Sequence, residues 1–178
     1  MDYQIKIIDK FSQNDMELYT NIAKLTKSIN DTYPKHNEWL FTKFFPELKT
    51  GKRKIVMAYT EDKNPIGVAL LKDTDEEKKI CCLFVREDCR NNGIASCLMK
   101  KSCKVLNTDK PLITVSDRNL PQLQRLLDKN GFEFSYKKKG TYQSEDTENY
   151  FNNQATEALK KDILTPLFLR AKNNSQRK

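Results

Sequence analysis

The stretch Cys81–Met99 constrains the fold more than any other part of the chain. It reads as an apolar strand that ends at Val85, a polar turn that contains Arg90 and Gly93, and then an amphipathic helix. Proteins often build a phosphate-binding cradle from backbone N–H groups where a strand leads through a small-residue turn into a helix. The sequence therefore predicts an anion-binding turn at the end of a buried strand.

The residue types of this turn suit a pyrophosphate. Arg90 supplies positive charge, Gly93 allows close approach because it lacks a Cβ, and Ala95 keeps the start of the helix slim. An ordinary tight turn with a solvated Arg90 is the alternative for the turn taken alone. The candidate cradle residues are Arg90, Asn91, Asn92, Gly93, Ile94, Ala95 and Ser96.

Length and charge limit the class of protein. A chain of 178 residues suits one domain with a substantial core. Its 32 Lys and Arg against 24 Asp and Glu give a net charge of +8, which favours anionic partners, although much of this charge can be a solvated surface. No signal-peptide-like region and no apolar run near the ~18 residues of a bilayer span is seen, so we expect a cytoplasmic protein without membrane association.

Cysteine usage agrees with that location. The five cysteines all lie between Cys81 and Cys103 and include no C-x-x-C pair, so free thiols are expected. No metal is expected either. Adjacent Cys81 and Cys82 would point to opposite faces of a strand, and the single histidine, His36, is far away in sequence.

Hydrophobic periodicity predicts alternating strands and helices, and a strand, helix and strand after the cradle imply a parallel crossover in a mixed sheet. A loop is expected over Lys137–Gly140. The predicted elements are a strand over Tyr3–Ile8, a helix with Leu18, Ile22, Leu25 and Ile29 on one face behind a start signal at Ser12–Asp15, a short helix after Pro34 that ends at Pro46, strands over Lys54–Thr60, Ile66–Lys72 and Ile80–Val85, a helix ending near Leu106, a strand over Pro111–Ser116, a helix over Asn119–Asn130, and strands over Phe132–Tyr136 and Thr147–Phe151.

The short helix after Pro34 is unusually aromatic. An aromatic core is the favoured interpretation, and the wall of a substrate pocket is the alternative. Its apolar residues are Trp39, Leu40, Phe41, Phe44 and Phe45.

Two parts of the chain resemble motifs of the GNAT N-acetyltransferase superfamily. The turn matches the acetyl-CoA signature R/Q-x-x-G-x-G/A, and it follows an apolar strand and opens a helix. A later helix ends in a Gly-Phe pair at the distance along the chain that the family leads one to expect. The order of elements from about residue 3 to 151 also fits. The residues that carry the resemblance are Val85 and Arg90–Ala95 in the first motif and Leu123, Leu126, Gly131 and Phe132 in the second.

The resemblance implies the fold class. It is a single α/β (α+β) domain over residues 1–152, with a central twisted, mixed and mostly antiparallel sheet of about six to seven strands flanked by about four helices. Residues 153–178 would form a helical and basic C-terminal extension, with a helix over Ala155–Ile163, an interruption at Pro166 and a polar end.

Acetyl-CoA is the cofactor that the resemblance implies, with no metal. Its pyrophosphate would lie in the cradle, and its pantetheine arm would pair with the backbone of Leu83, Phe84 and Val85 in the manner of an added strand. Asn119 is a further candidate contact, since the family often places an Asn one position later, at Leu120. The Val85 N–H would stabilise the thioester oxygen as charge develops.

The implied reaction moves an acetyl group to a primary amine of a small molecule, a peptide or an aminoacyl group by direct attack. An amine with a pKa of ~10.4 is mostly protonated at pH 7, so a base or a water relay is valuable. The sequence does not identify this base. Cys81 and Cys82 are more typical of inert packing, and the alternatives Glu38, Glu47 and Glu133 cannot be ranked.

The acid that protonates the leaving thiolate is also unassigned. Many relatives carry a Tyr four residues before the Gly-Phe pair, where this chain has Leu127. A thiolate with a pKa of ~8.5 can leave unprotonated at pH 7 for about 2 kcal/mol at most. Solvent, Ser116 or a strand tyrosine could substitute. The candidate tyrosines are Tyr136, Tyr142 and Tyr150, of which Tyr142 and Tyr150 are preferred.

A second function remains open. A family member with degraded catalysis could serve as a CoA-responsive module that binds RNA or another anionic partner. The Leu127 departure and the clusters Lys52–Lys54, Lys100–Lys101 and Lys137–Lys139 motivate it, although lysine clusters are usually solvated faces. The chain would act as a monomer or a homodimer.

Overall fold

The computed structural model describes residues 2–10 and 15–153. Its seven strands form one sheet in the order β1-β2-β3-β4-β5-β7-β6. The strands are β1 (Gln4–Ile8), β2 (Arg53–Tyr59), β3 (Pro65–Asp73), β4 (Lys78–Val85), β5 (Leu112–Ser116), β6 (Phe134–Lys139) and β7 (Thr147–Phe151). The helices are α1 (Met16–Leu25), α2 (His36–Trp39), α3 (Phe45–Leu48), α4 (Ile94–Leu106) and α5 (Leu120–Lys129), with a 3-10 turn at Lys27–Asp31 after α1 and a π-helical turn at Leu40–Phe44 between α2 and α3.

The sheet is mostly antiparallel, as predicted. Within it β4 and β5 are parallel neighbours, joined by the crossover through α4. The expected extension over 153–178 lies, from residue 154 onward, outside the described residues. Among those described, no helix has both the length and the apolar character to cross a bilayer.

Helices cover both sides of the sheet and make two apolar cores. We call the side covered by α1, α2 and α3 the α1 face; Ile22, Leu40 and Phe44 are fully buried there. The opposite side is the α4 face, where Leu98 and Leu127 of α4 and α5 are fully buried. The aromatic segment after Pro34 is therefore core at most of its positions, although Phe41 is 46% exposed.

The helical segment does not end at Pro46, contrary to the sequence prediction. Pro46 lies in the first turn of α3, where its missing N–H would have no partner within that helix in any case. A π-helical turn leads directly into α3. In this turn the Phe45 N–H donates to the carbonyl of Leu40, five residues earlier.

Residues Lys137–Lys139 belong to β6, although the sequence predicted a loop. They pair with Thr147, Glu148 and Asn149 of β7. The strand is the last one of the sheet and its lysines are exposed, which is where natural sheets accept charged side chains.

Cys81 is an extra residue in β4. Leu71 pairs with Ile80 and Leu70 with Cys82, so Cys81 forms a β-bulge. The bulge interrupts the strand alternation on which the sequence prediction for the two cysteines rested. Cys82 packs on the α1 face, and the Sγ of Cys81 lies 3.5 Å from Nη1 of Arg53, which packs over aromatic rings of the same face. Both thiols therefore lie on one side of the sheet.

Gly67 of β3 lets α4 approach the sheet closely. A Cβ at this position would lie 3.0 Å from Cδ1 of Leu98, 3.1 Å from the Phe84 carbonyl oxygen and 3.3 Å from Cγ2 of Ile94. Because Ile94 begins α4, this contact also sets where the start of that helix lies.

We expect Gly67→Ala to destabilise the protein by about 1–3 kcal/mol through overpacking against α4. Chemical denaturation of the single variants and the double variant with Leu98→Ala measures it. Because Leu98→Ala removes the nearest atom, the double variant should lose less stability than the sum of the two single losses. Strictly additive losses would show that the approach is not tight.

Candidate active site

The two parallel strands separate soon after they meet. β4 and β5 pair only at Lys79 with Leu112 and at Ile80 with Ile113, although both strands continue beyond these residues. We call the space between residues 81–85 of β4 and 114–116 of β5 the gap, and the Ile80 level its vertex. Cys81 to Phe84 are each partly exposed, as expected for a strand whose edge is open.

Backbone hydrogen bonding shows which groups of β4 face the gap. The Arg86 N–H donates to the Ile66 carbonyl at 2.9 Å, and in an antiparallel ladder such pairs alternate with pairs whose polar groups point away. The N–H and C=O of Leu83 and Val85 therefore point toward the gap, whereas those of Phe84 point toward β3. Phe84 consequently offers a side chain on the α1 face, not the backbone contact that the sequence suggested.

The turn after β4 has the conformation that a cradle requires. Gly93 caps α4 with φ +77°, and Asn91 also lies in the left-handed region with φ +65°. The first N–H groups of a helix have no acceptor within it, so those that open α4 are available to an anion. A Cβ on Gly93 would meet no atom within 4 Å among the described residues, so the space above the turn is open.

Side chains of the turn support this geometry. The Arg90 side chain is exposed and its Nε donates to the Val85 carbonyl at 3.3 Å, which ties the turn to the end of the gap. Nδ2 of Asn92 donates to the carbonyls of Cys89 and Arg90 at 3.2 and 3.1 Å. The side chain of Ile94 is buried, so only its backbone can contribute, while Ala95 and Ser96 are partly exposed.

A tyrosine bridges the vertex on the α1 face. The Tyr142 hydroxyl lies 3.2 Å from Nζ of Lys79 on β4 and 3.4 Å from Oγ1 of Thr114 on β5. Its ring meets the Tyr33 ring edge-on at 5.5 Å. Tyr142 is 53% exposed, so this hydroxyl is accessible at the point where the gap begins.

The other two acid candidates lie differently. Ser116 is buried and its Oγ accepts the backbone N–H of Asn119 at 3.3 Å. The Tyr150 hydroxyl bonds Thr141 at 3.2 Å and its ring stacks on Tyr136 at 4.5 Å, next to the edge strand β6. Of the three candidates, Tyr142 is the one whose hydroxyl contacts both strands that border the gap.

A buried carboxylate on the α1 face escaped the sequence analysis. Glu148 is 1% exposed; its Oε1 accepts the Tyr33 hydroxyl at 2.9 Å, and its Oε2 is buried without a partner among the described residues. Burial raises the pKa of this carboxyl to about 7, while the bond from Tyr33 and the charge of Lys79 oppose that rise. The only sequence signal is a Glu at an inward-facing position of a strand, across from Ser116.

Tyr33 belongs to a segment that crosses from the helices to the far side of the gap. The hydroxyl bonds Glu148 of β7, and burial together with that carboxylate raises the pKa of Tyr33. Arg118 donates to the carbonyl of Asp31 at 3.5 Å, and Gln143 donates to that of Thr32. We call residues 31–33 the strap, since it joins the α1 side to the loops beyond β5 and β7.

Of the remaining candidates, Asn119 lies beside β5, since its backbone N–H donates to Oγ of Ser116. Leu127 is fully buried in the apolar core of the α4 face, and Asn119 is the half-buried N-cap of α5 with no capping bond from its side chain. Glu47 holds Arg53 at 2.6 Å and Glu133 holds Lys110 at 2.5 Å. Glu38 is exposed on α2.

Neither cysteine of β4 has the properties of a nucleophile. Burial raises the pKa of Cys81, and it raises that of Cys82 to about 12. All five cysteines are free thiols. Within residues 2–10 and 15–153, no three His, Cys, Asp or Glu side chains group in a way that could hold a metal ion, and His36 is instead bonded to Thr26 at 3.0 Å.

Comparisons with known proteins agree with this architecture. The model of the acetyltransferase (GNAT) domain family matches residues 34–144. No curated protein matches the sequence. Three solved structures show the same fold at low identity, as follows.

An acetyltransferase assigned to the GNAT family from Desulfovibrio desulfuricans has a TM-score of 0.64 at 15% identity, over 83% of this chain and 97% of that one. A GNAT-family acetyltransferase from Bacillus cereus has a TM-score of 0.59 at 19% identity, over 83% and 95%. A protein assigned as a phosphinothricin N-acetyltransferase has a TM-score of 0.61 at 18% identity, over 83% and 96%. The family model spans more than half of this chain, and the sheet opens beside a helix-capping turn. The chain therefore belongs to the GNAT family of acetyltransferases.

Proposed function

We propose that the protein transfers the acetyl group of acetyl-CoA to a primary amine of a small molecule, a peptide or an aminoacyl group. The observation that carries the proposal is the gap itself, an unpaired edge of β4 that leads directly from an anion cradle into the sheet. A pyrophosphate at the cradle and an amide-bearing chain along the edge are the two features that this geometry accommodates together.

The residues fit acetyl-CoA in a definite direction. Arg90 and the N–H groups that open α4 would hold the pyrophosphate, with Asn91 and Asn92 shaping the turn. The N–H and C=O of Leu83 and Val85 would pair with the pantetheine amides. At ~3.3 Å per residue, Cys81 lies about 13 Å from Val85, so the thioester end belongs near the vertex.

This direction bears on the donor for the thioester oxygen. Val85 is tied to the cradle through Arg90, so its N–H lies at the phosphate end of the gap. The Leu83 N–H faces the same gap about two residues closer to the vertex. We therefore assign Leu83 as the better-placed oxyanion donor and Val85 as a pantetheine contact.

Bound acetyl-CoA supplies an activated acetyl group, and the chain's residues favour its direct transfer. A covalent enzyme intermediate would need a reactive thiol, and burial keeps the pKa of both Cys81 and Cys82 high. Tyr142 is positioned to protonate the leaving thiolate, because its hydroxyl is at the vertex and Lys79 supports negative charge there. Leu127, buried in the core, cannot serve.

The alternative of an RNA-binding module gains no support from the basic clusters. Arg53 is 3% exposed and pairs with Glu47, while Lys54 pairs with Asp73. Lys137 and Lys139 pair with Asp117 and Glu145. Four of the eight side chains in the basic clusters are therefore paired within the domain.

Turnover is the first test of the proposal. Thiol release from acetyl-CoA is followed with n-butylamine, phenethylamine and glycinamide, and the acetylated product is identified by mass. We expect amine-dependent release. Measurable CoA binding without turnover across the panel would reject the transferase assignment.

The cradle is tested by CoA affinity in variants of α4 and its turn. Arg90→Ala removes one charge-assisted contact, so we expect CoA to bind about 5–20-fold more weakly. Gly93→Val should weaken binding further, because it strains a residue at φ +77° and fills the space above the turn. Lys104→Ala, which removes a charge from the last turn of α4, is the matched control and should bind normally. Unchanged affinity in both turn variants would refute the cradle.

The acid is tested by a pair of hydroxyl deletions on one face of the sheet. Tyr142→Phe should lower kcat by up to about 30-fold, the equivalent of ~2 kcal/mol for an unassisted thiolate at pH 7. Tyr150→Phe makes the same chemical change next to β6 and should leave kcat within about twofold. A larger loss in Tyr150→Phe than in Tyr142→Phe would reverse the assignment.

A further inference from the structure

Glu148 is a buried acid with half of its bonding capacity unused. Its Oε1 accepts the Tyr33 hydroxyl, but its Oε2 has no partner among the described residues. Leaving a carboxylate oxygen buried and unpaired is costly, so such groups call for an explanation by function or by an unseen partner. In the ionised form of Glu148 the missing partner is a hydrogen-bond donor, because an ionised carboxylate only accepts.

The position of Glu148 places that donor next to the gap, on the α1 face of the sheet. Glu148 pairs with Ser116 in the register of β7 and β5, and Ser116 belongs to the strand that borders the gap. Tyr33 connects this carboxylate with Tyr142, which in turn contacts Lys79 and Thr114 at the vertex. A series of contacts, one of them between the rings of Tyr33 and Tyr142, thus runs from Glu148 to the level where the thioester belongs.

We propose that Glu148 binds the ammonium group of the acceptor through Oε2 and takes one of its protons, which gives the neutral amine that attacks the acetyl carbonyl. This inference rests on the proposed function. In the first step an N–H bond breaks and an O–H bond forms on Glu148, and the nitrogen lone pair then forms a bond to the acetyl carbon. As the C–S bond breaks, the nitrogen loses its second proton, the leaving thiolate gains one from Tyr142, Tyr142 is reprotonated, and Glu148 returns its proton to solvent.

The charges around Glu148 agree with this role. From β4, Lys79 lowers its pKa, whereas Asp146 and Asp117 raise it from the loops next to β7 and β5, and Tyr33 of the strap lowers it through the hydrogen bond. Burial has the largest effect, and the pKa of Glu148 is raised to about 7. With this pKa the carboxyl can be ionised near neutral pH and can still accept a proton readily.

The base candidates from the sequence are less suited to this role. Glu38 is exposed, and Glu47 and Glu133 are held by Arg53 and Lys110. The neighbouring Asp117 is exposed, and its Oδ1 accepts bonds from Asn149 and Lys137. The aromatic rings add selectivity for a cation, because Tyr33 contacts the carboxylate, Tyr142 lies next to Tyr33, and aromatic faces attract ammonium groups.

The test compares Glu148→Gln with Glu145→Gln, which makes the same change at a residue that is 85% exposed in the preceding loop. With the panel amine that wild type uses best, Glu148→Gln should lower kcat/KM about 10²–10⁴-fold, raise KM for the amine and leave acetyl-CoA affinity unchanged. The wild-type rise of kcat/KM near pH 7 should vanish in Glu148→Gln and persist in Glu145→Gln. Tyr33→Phe should move that rise to higher pH without abolishing turnover, because it removes the bond that lowers the pKa of Glu148.

A second readout needs no turnover. Between about pH 4.5 and 7, folded Glu148 keeps a proton that the unfolded chain has lost, so wild-type stability falls as the pH rises through this window. Relative to Glu148→Gln, the wild-type Tm should therefore fall by about 3–8 °C between pH 5 and 8. Equal pH dependence in the two proteins would show that Glu148 is not the buried titrating group.

The outcomes separate the two proposals. If wild type turns over an amine and Glu148→Gln does so within threefold, with the same pH profile, the Glu148 assignment is overturned and the transferase stands. If wild type turns over none of the amines, the proposed function fails. Calorimetry with phenethylamine added to the CoA complex then decides on Glu148: binding lost only in Glu148→Gln supports the ammonium site, and equal or absent binding overturns it.

Discussion

The structure depends on two parallel strands that stop pairing. β4 and β5 share only two residue pairs and then diverge. The backbone N–H and C=O groups of Leu83 and Val85, which face the gap, therefore have no neighbouring strand. Each backbone hydrogen bond is worth about 0.5–1.5 kcal/mol net, so a sheet gives up such pairing only where other contacts hold the strands apart. Here the loss creates an edge that an extended, amide-bearing molecule can complete.

The two faces of the sheet then contribute different chemistry to that edge. On the α4 face, apolar packing fixes the start of α4, and Gly67 brings that helix against β3 so that its open N–H groups lie at the end of β4. On the α1 face, the strap carries Tyr33 over to Glu148 of β7, and Tyr142 bridges β4 and β5. In the proposed mechanism, cofactor recognition therefore uses mostly backbone, whereas proton transfer uses side chains gathered from distant parts of the chain.

This division explains what the sequence could predict. The cradle is local: Val85, Arg90 and Gly93 lie within nine residues, and both the strand pattern and the glycine signal are visible in the sequence. The succession of strands and helices along the chain followed from periodicity for the same reason, whereas the order of the strands in the sheet was not predicted. Glu148 and Tyr33 are 115 residues apart, and the residues next to them in the sequence do not indicate that the strap brings them together. Local exceptions also escaped: the bulge at Cys81 and the π-helical turn before Pro46 depend on tertiary packing, and the lysines of β6 are tolerated only because that strand is at the edge.

The claim that the edge of β4 receives acetyl-CoA is tested most directly by residue-resolved amide hydrogen exchange, with and without saturating CoA. We expect the amides of Leu83 and Val85 to become protected on binding, along with those that open α4. The amide of Phe84, already directed at β3, should exchange at the same rate in both states. Unchanged exchange at Leu83 and Val85 in a protein that demonstrably binds CoA would contradict the account.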